Sequence, residues 1–296
     1  AGVALSAISP PTFAQEGAPA ADGDPVLGDN VIIVTAVAQG QNRLESSVSV
    51  SALDAESIAD LNPSSSADLI RQIPGIRSEA SGGEGNANIA VRGIPVSTGG
   101  ARYIQLQEDG LPVLEFGDIV FGNADNFVRA DRNVGRVEAV RGGSASTFAS
   151  NSPGGVINFI SKTGLEEGGA VAGTIGIDHE TYRLDFDYGG ALDATSYFHV
   201  GGFYRTGEGV RDTGFNGKEG GQIKANLTTE FDGGYIRVHG KYLDDSTPTI
   251  LPQPVAVTGT DSDPDYTAIA NFDPRTASLY SRYISAARTL DGDNNP

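Results

Sequence analysis

Polar and apolar residues alternate along five stretches in the second half of the chain, less cleanly in 197–205 and most weakly in 171–177. Within 182–188 every second residue is aromatic or Leu, and the residues between them are Arg183, Asp185 and Asp187. A period of two gives a β-strand one apolar face and one polar face. The same period recurs in four further stretches, 171–177, 197–205, 222–231 and 235–242. The pattern predicts five strands.

The connections between these strands are unequal, and Tyr and Phe rise from 7 in residues 1–164 to 15 in residues 165–296. One connection is Asp232–Gly233, another is 206–219, and a long polar loop follows Leu243. Strands of this kind are typical of a membrane β-barrel. A soluble β-sandwich also alternates, but it would have to bury the charged face or leave the aromatic face in water. The barrel is therefore the preferred interpretation.

The first half of the chain has a compact α+β pattern. One helix is predicted at Ala55–Leu61, capped by Asp54, and a second at Ala67–Ile73, after Ser65 and before Pro74–Gly75. Short strands are predicted at Ile89–Arg92, Tyr103–Glu108, Arg136–Val140 and Val156–Ile160, with polar loops at 80–88 and 113–127.

The N-terminal segment is apolar and then poor in large apolar residues. Residues 1–14 are interpreted as the remnant of a signal peptide ending at Ala14, with a buried N-terminal strand as the alternative. Residues 15–47 are predicted to be a flexible leader. It contains a β-prone island at 31–38, a candidate recognition strand. Both ends look cut, so we expect a piece of a longer exported protein.

Composition and charge exclude several classes of protein. The 296 residues carry a net charge of −18, against the basic face that nucleic-acid binding requires. There is no Cys, which excludes disulfides and thiolate chemistry. Forty Gly and 15 Pro argue against a helical bundle. No run of 18 apolar residues is present, so any membrane crossing must use strands.

No constellation of catalytic or metal-binding residues stands out. The segment 82–88 lacks the Lys and Ser/Thr of a phosphate-binding loop, and the acidic turns near 261–265 lack the closing Glu of a Ca²⁺ loop. His199 and His239 share a predicted face but lie two strands apart. We therefore predict no enzyme, no metal site and no cofactor.

Four motifs carry a family resemblance. They are LIRQIPGI at 69–76, IAVRGI at 89–94, QEDGLPV at 107–113 and GRVEAVRGGSASTFASNSPGGVINFISKTG at 135–164. In order and spacing they resemble the plug domain of TonB-dependent outer-membrane receptors. The departures are Gly143, where Pro is usual, and Phe148–Ala149, where Tyr-Gly is usual.

This resemblance implies a fold and a function. The fold would be an α+β plug domain at 48–164, followed at 165–296 by the first transmembrane strands of a truncated 22-stranded antiparallel β-barrel, with a long extracellular loop from 244. The function would be active uptake of a ligand across the outer membrane of a Gram-negative bacterium, with the plug gating the lumen. Partners would be TonB with ExbB/ExbD, and outer-membrane lipid. The alternative is a surface adhesin or secreted β-protein that binds without transport.

The resemblance also assigns residues. It makes 31–36 the TonB box: Val31, Ile32, Ile33, Val34, Thr35 and Ala36. It makes Arg92 and Arg141 plug arginines that latch onto barrel glutamates beyond Pro296, with Glu138 as a local candidate for the same network.

Candidate ligand contacts come from the two polar loops of the plug. They are Glu84, Asn86, Asn88, Glu115, Phe116, Asp118, Asn123 and Asn126. The set contains amides, acids and one aromatic ring, without a cluster of Arg or Lys. Such groups suit a neutral or cationic ligand, a carbohydrate or a neutral chelate, better than an anionic siderophore.

Overall fold

The structure is a computed structural model with two main β-sheets. It describes residues 2–6, 32–33, 41–42, 50–80, 82–94, 103–114, 118–119, 122–142, 149, 152–210, 214–249, 255–260 and 262–268. One compact unit extends to Thr249 and a second begins at Ile250. Within the second unit, β18 (Val255–Thr260) and β19 (Asp263–Ala268) form an antiparallel hairpin.

A five-stranded mixed sheet organises the plug region, the name used below for residues 48–164. Its strand order is β4 (Val50–Asp54), β11 (Val134–Arg141), β12 (Gly155–Ser161), β7 (Ile104–Glu108) and β8 (Leu111–Pro112). All neighbours are antiparallel except β12 and β7, which are parallel. Small two-stranded pairs complete the region: β5 (Ile76–Glu79) with β6 (Asn88–Val91), and β9 (Asp118–Ile119) with β10 (Gly122–Asn123).

Two short helices follow β4 and begin at side-chain caps. The first, α1 (Ala55–Leu61), has the predicted bounds, and the Asp54 carboxylate accepts a hydrogen bond from the Ser57 N–H at 2.8 Å. The second, α2 (Ser66–Arg71), is capped by Ser65 and ends before the predicted Ile73. A cap of this kind contributes about 1 kcal/mol because it satisfies a free helix N–H.

The core of the plug region lies between α2 and one face of its sheet. Its fully buried side chains are Leu69, Ile70, Ile73, Ile104, Leu106, Val137, Ile157 and Phe159. Burying each large apolar side chain contributes about 1.5–3 kcal/mol. The plug sheet is therefore a rigid base for the polar loops around it.

The second sheet is antiparallel and confirms the five strands predicted from alternation. These strands, called the wall below, are β13 (Gly168–Gly176), β14 (Tyr182–Ala191), β15 (Ser196–Gly207), β16 (Lys218–Phe231) and β17 (Gly234–Ser246). Each pairs with the next along the chain. Backbone pairing adds a sixth strand, β1 (Gly2–Ser6), to the free edge of β13.

The connections of the wall define two ends. Short connections, 192–195 and Asp232–Gly233, lie at one end. The connections 177–181 and 208–217 lie at the other end, where β17 also ends, called the long-loop end below. Antiparallel strands joined in sequence place alternate connections at the same end.

The two faces of the wall differ in chemistry. On β14, Tyr182, Leu184 and Tyr188 are each about half exposed, whereas Asp185 and Asp187 are 7% exposed. The polar face packs against the plug region, and the apolar face is exposed, as expected for strands bordered by lipid. A β-sandwich would bury the apolar face instead. No helix among the described residues is long and apolar enough to cross a membrane.

Candidate functional site: the interface between plug region and wall

The polar face of the wall meets the plug region through ion pairs. At the long-loop end, the loop at 80–88 places the Glu84 carboxylate against two wall cations. Its Oε2 lies 2.7 Å from Arg205 Nη1 and 3.1 Å from Lys218 Nζ. The side chains of Glu84 and Arg205 are 5% and 4% exposed, and that of Lys218 is 20% exposed. This loop, predicted to bind ligand, is thus bound to the wall.

A second ion pair at the same end has the opposite polarity, with its cation on the plug region and its acid on the wall. The plug region supplies Arg129, whose Nε lies 2.5 Å from the Asp245 carboxylate of the wall. Asp245 also accepts bonds from Arg205 Nε at 2.8 Å and Arg205 Nη2 at 2.6 Å. We call Glu84, Arg129, Arg205, Lys218 and Asp245 the mouth cluster. Each side of the interface contributes an acid and a base to it, so charge complementarity fixes the position of the plug region.

The environment shifts the pKa of Glu84 in this cluster and of Asp125 beside it. Burial alone would raise the pKa of Glu84, but the positive charges of Arg205 and Lys218 hold it below its usual value. Asp125 is 1% exposed, and burial raises its pKa to about 6, although its Oδ2 accepts a hydrogen bond from the Ala87 N–H at 3.0 Å. Glu84 is therefore ionised at neutral pH, whereas Asp125 changes its protonation state near pH 6.

A second group of ion pairs is centred on Asp187 of β14. Asp187 of the wall accepts from Arg132 Nε at 2.8 Å and from Lys162 Nζ at 2.8 Å, and His199 Nε2 lies 3.5 Å away. Both cations belong to the plug region: Arg132 precedes β11 and Lys162 follows β12. One wall carboxylate therefore joins two separate segments of the plug region.

The third group has its acid on the plug region. Glu108, at the end of β7, lies 3.2 Å from Lys224 Nζ and 2.6 Å from Lys241 Nζ. Lys224 also donates to Ser161 Oγ at 3.0 Å. These contacts link the parallel pair of plug strands to β16 and β17.

The structure separates the predicted ligand contacts into three groups. Glu84 belongs to the mouth cluster. Asn86, Asn88 and Asn126 are half-buried, and Asn88 Nδ2 lies 3.5 Å from Glu79 Oε1. Asp118 and Asn123 are described only as backbone in β9 and β10, and Glu115 and Phe116 lie outside the described residues. The loop at 80–88 does lie at the long-loop end, because the Thr247 hydroxyl donates to the Glu84 carbonyl at 3.1 Å.

The two predicted latch arginines are neighbours. Arg141 donates to the Ser51 hydroxyl at 2.8 Å and to the Pro74 carbonyl. Burial, with the nearby charge of Arg92, lowers the pKa of Arg141. Two adjacent guanidinium groups are a site where an acid would be stabilising, as the latch hypothesis requires. The hypothesis stays a prediction.

Glu138 is not brought to these arginines. It lies three residues from Arg141 on the regular strand β11, so the two side chains are on opposite faces of the sheet. Its carboxylate is fully buried and lies 3.0 Å from Arg136 Nε. The period-two rule applied to β11 already separates the two residues.

The predicted TonB box is described only in part. The backbone of Ile32–Ile33 (β2) pairs with that of Gln41–Asn42 (β3). Val31, Val34, Thr35 and Ala36 lie outside the described residues. Its role stays a prediction.

Sequence reasoning found the polar wall face but missed the partners across the interface. Arg129, Arg132 and Glu108 were not singled out, because nothing local marks a charged residue that meets a strand more than 50 residues away. Within the described part of the chain, no group of three or more His, Asp or Glu residues is arranged to hold a metal ion.

Comparisons with known proteins agree with this arrangement. The family model described as TonB-dependent Receptor Plug Domain matches residues 42–156. The ferric enterobactin receptor PirA of Pseudomonas aeruginosa is 26% identical over 263 residues, which cover 74% of this chain and 34% of that receptor. The vitamin B12 transporter BtuB of Photobacterium profundum is 29% identical over 150 residues, which cover 49% of this chain and 22% of that transporter. The chain thus spans about a third or less of the length of these relatives.

Solved structures share the fold. The siderophore receptor PirA of Acinetobacter baumannii superposes with a TM-score of 0.52 at 20% identity, covering 71% of this chain and 33% of that receptor. The pyoverdine outer membrane receptor FpvA of Pseudomonas aeruginosa superposes with a TM-score of 0.57 at 19% identity, covering 68% and 28%. Residues 42–156 therefore match the plug domain of the TonB-dependent receptors, and the fold, a plug domain followed by antiparallel strands of a barrel that is not closed here, is the one seen in receptors of the Gram-negative outer membrane.

Proposed function

We propose that the complete receptor takes up a metal chelate actively across the outer membrane, with the plug region gating the lumen. The observation that carries the proposal is the attachment of the plug region to the polar face of the wall through three groups of ion pairs. A domain held by charges and hydrogen bonds can be displaced without exposing a hydrophobic core. An adhesin that binds without transport needs no such displaceable domain.

Of the two ligand classes that the sequence left open, a carbohydrate and a neutral chelate, a metal chelate is the better supported. The relatives named above include a ferric enterobactin receptor, which supports an iron chelate as the ligand class. The argument against an anionic ligand depended partly on the charge of Glu84. Because Arg205 and Lys218 pair with that carboxylate, it presents no free negative charge to an incoming ligand.

Energy for uptake is proposed to arrive through TonB, with ExbB/ExbD, at residues 31–36. An extended segment of this kind can add to a sheet edge through main-chain hydrogen bonds. The short backbone pairing of Ile32–Ile33 with Gln41–Asn42 is consistent with a segment that is able to exchange strand partners.

Substitution of Ile33 tests this function. Ile33→Pro removes a backbone N–H and is expected to abolish uptake of a ferric chelate in the complete receptor while leaving its binding at the cell surface unchanged. Ile33→Ala keeps the N–H and serves as the matched control, with near-normal uptake. The measurement is ⁵⁵Fe accumulation beside ⁵⁵Fe binding in energy-depleted cells. Normal accumulation by the Pro variant would contradict TonB coupling at this segment.

A further inference from the structure

The mouth cluster contains more cations than acids. It holds three cations, Arg129, Arg205 and Lys218, and two acids, Glu84 and Asp245. The formal charge is therefore 3 − 2 = +1, and without the Glu84 carboxylate it would be 3 − 1 = +2. Buried guanidinium groups need compensating charge, so a site that loses Glu84 must gain another anion.

Asp245 and Glu84 use different atoms of Arg205. Asp245 binds Nε and Nη2 in a bidentate manner, at 2.8 and 2.6 Å, which fixes the plane of the guanidinium. Glu84 takes only Nη1, at 2.7 Å. If Glu84 left, Arg205 would stay oriented and would offer one N–H to a new acceptor.

The chain around Glu84 allows it to leave. Its neighbours are Gly83 and Gly85, with φ of +105° and +78°, in the region where glycine has conformational freedom. Besides the ion pairs of its side chain, Glu84 is bound to the wall by the hydrogen bond that its carbonyl accepts from the Thr247 hydroxyl at 3.1 Å. Release of Glu84 from the wall therefore breaks the ion pairs and this hydrogen bond, while Ala87, further along the loop, stays buried in the core of the plug region.

The cluster is accessible at one residue. Lys218 opens β16 directly after the connection 208–217 at the long-loop end, and its side chain is 20% exposed, against 4% for Arg205. A ligand that arrives from this end meets the Lys218 ammonium first. Its attraction for an anion is weakly screened because the neighbouring charges are buried.

We propose that the Glu84 carboxylate is an internal stand-in for an anionic oxygen of the ligand. An anionic chelate, bearing catecholate or carboxylate oxygens, replaces Glu84 at Lys218 and at Arg205 Nη1 and thereby releases the loop at 80–88 from the wall. This inference rests on the proposed function and specifies its ligand as anionic. It opposes the neutral or cationic preference expected from the sequence.

The test measures the affinity of the complete receptor for two probes, a trianionic ferric tris-catecholate and a neutral ferric trihydroxamate. Glu84→Gln removes the competing charge and is expected to tighten binding of the anionic probe about tenfold, with less than a twofold change for the neutral probe. Lys218→Gln is expected to weaken binding of the anionic probe by a similar factor. Glu180→Gln, at an exposed acid of the connection 177–181 at the same end, is the matched control and should change neither affinity.

The outcomes separate the two proposals. If wild type binds the anionic probe but Glu84→Gln fails to tighten it, and Lys218→Gln fails to weaken it, the stand-in is overturned while chelate uptake stands. Equal effects on both probes would also overturn it, because they would reflect folding rather than charge. If the wild-type receptor binds neither probe, both proposals fail. Lys218→Gln, at a partly exposed residue, keeps the test decisive should Glu84→Gln assemble poorly.

Discussion

Asp125 is a buried carboxyl group whose charge is poorly compensated. Its Oδ2 accepts one backbone hydrogen bond from Ala87, and its Oδ1 has no hydrogen-bond partner among the described residues. Burial therefore raises its pKa from 3.8 to about 6. Because the folded state holds this proton more tightly than the unfolded state, folding is favoured below the unfolded pKa, and this contribution is lost as the pH rises through about 6.

Substitution of Asp125 tests this assignment. Asp125→Asn removes the titration, so the variant should lose less stability than wild type between pH 4 and pH 7. The difference is on the order of 3 kcal/mol over the whole window, from the separation of the two pKa values. The measurement is thermal unfolding of the complete receptor in detergent across that range. Parallel pH profiles for the two proteins would refute the raised pKa.

At the scale of elements, the apolar face of the wall is expected to be sensitive to charge in a depth-dependent way. Ile223 lies near the middle of β16 and Phe231 at its end, and both side chains are exposed on the same face. Ile223→Arg should cost about 2–4 kcal/mol of stability in the bilayer, and Phe231→Arg about 0–1 kcal/mol, because the second site is close to water.

The Ile223→Arg and Phe231→Arg variants are compared by the free energy of unfolding of the complete receptor in lipid vesicles. The two arginines differ only in depth along one strand, so intrinsic strand propensity largely cancels. Similar costs at both positions would show that this face is not bordered by lipid.

The strands and helices also show how much of the fold could be predicted from the sequence. Alternation located β13–β17 because each strand has one uniform face, and the Asp54 cap located α1 to the residue. Periodicity cannot say which partner an inward side chain meets. Asp187 was placed on the polar face, but its cations, Arg132 and Lys162, are in irregular chain before β11 and after β12, where no repeating pattern exists.

For the whole molecule, Asp187 is a wall residue that binds two separate segments of the plug region. Asp187→Asn leaves Arg132 and Lys162 without a counterion at a half-buried site, which should cost about 1–3 kcal/mol. We expect a lower unfolding temperature and increased passive entry of large antibiotics into cells that carry the complete receptor.

The matched control is Asp185→Asn on the same strand and face. Asp185 binds Arg183 of its own strand at 2.7 Å, and Arg183 can keep its hydrogen bond to the Ala130 carbonyl of the plug region without Asp185, so loss of Asp185 should leave the plug region attached and permeability near that of wild type. Equal leak from the two variants would mean that the ion pairs at Asp187 do not hold the plug region in place.

The candidate site was harder to predict than the fold, again for a reason that belongs to the whole molecule. Glu84 was selected as a ligand contact in a polar loop of the plug region, and its interpretation as a free acid did not anticipate Arg205 and Lys218. The role of a charged loop residue depends on whether a residue of opposite charge lies against it. That partner is identified only by the three-dimensional structure.

The ion pairs between plug region and wall also set an order of folding. They join residues far apart in the chain: 121 positions separate Glu84 from Arg205, and 133 separate Glu108 from Lys241. The wall strands, in contrast, are successive hairpins, one closed by only Asp232–Gly233. Because closing a long loop costs more entropy than closing a short one, we expect hairpins to form first and the plug region to dock late. Until docking, we expect the charges of the plug region to remain hydrated.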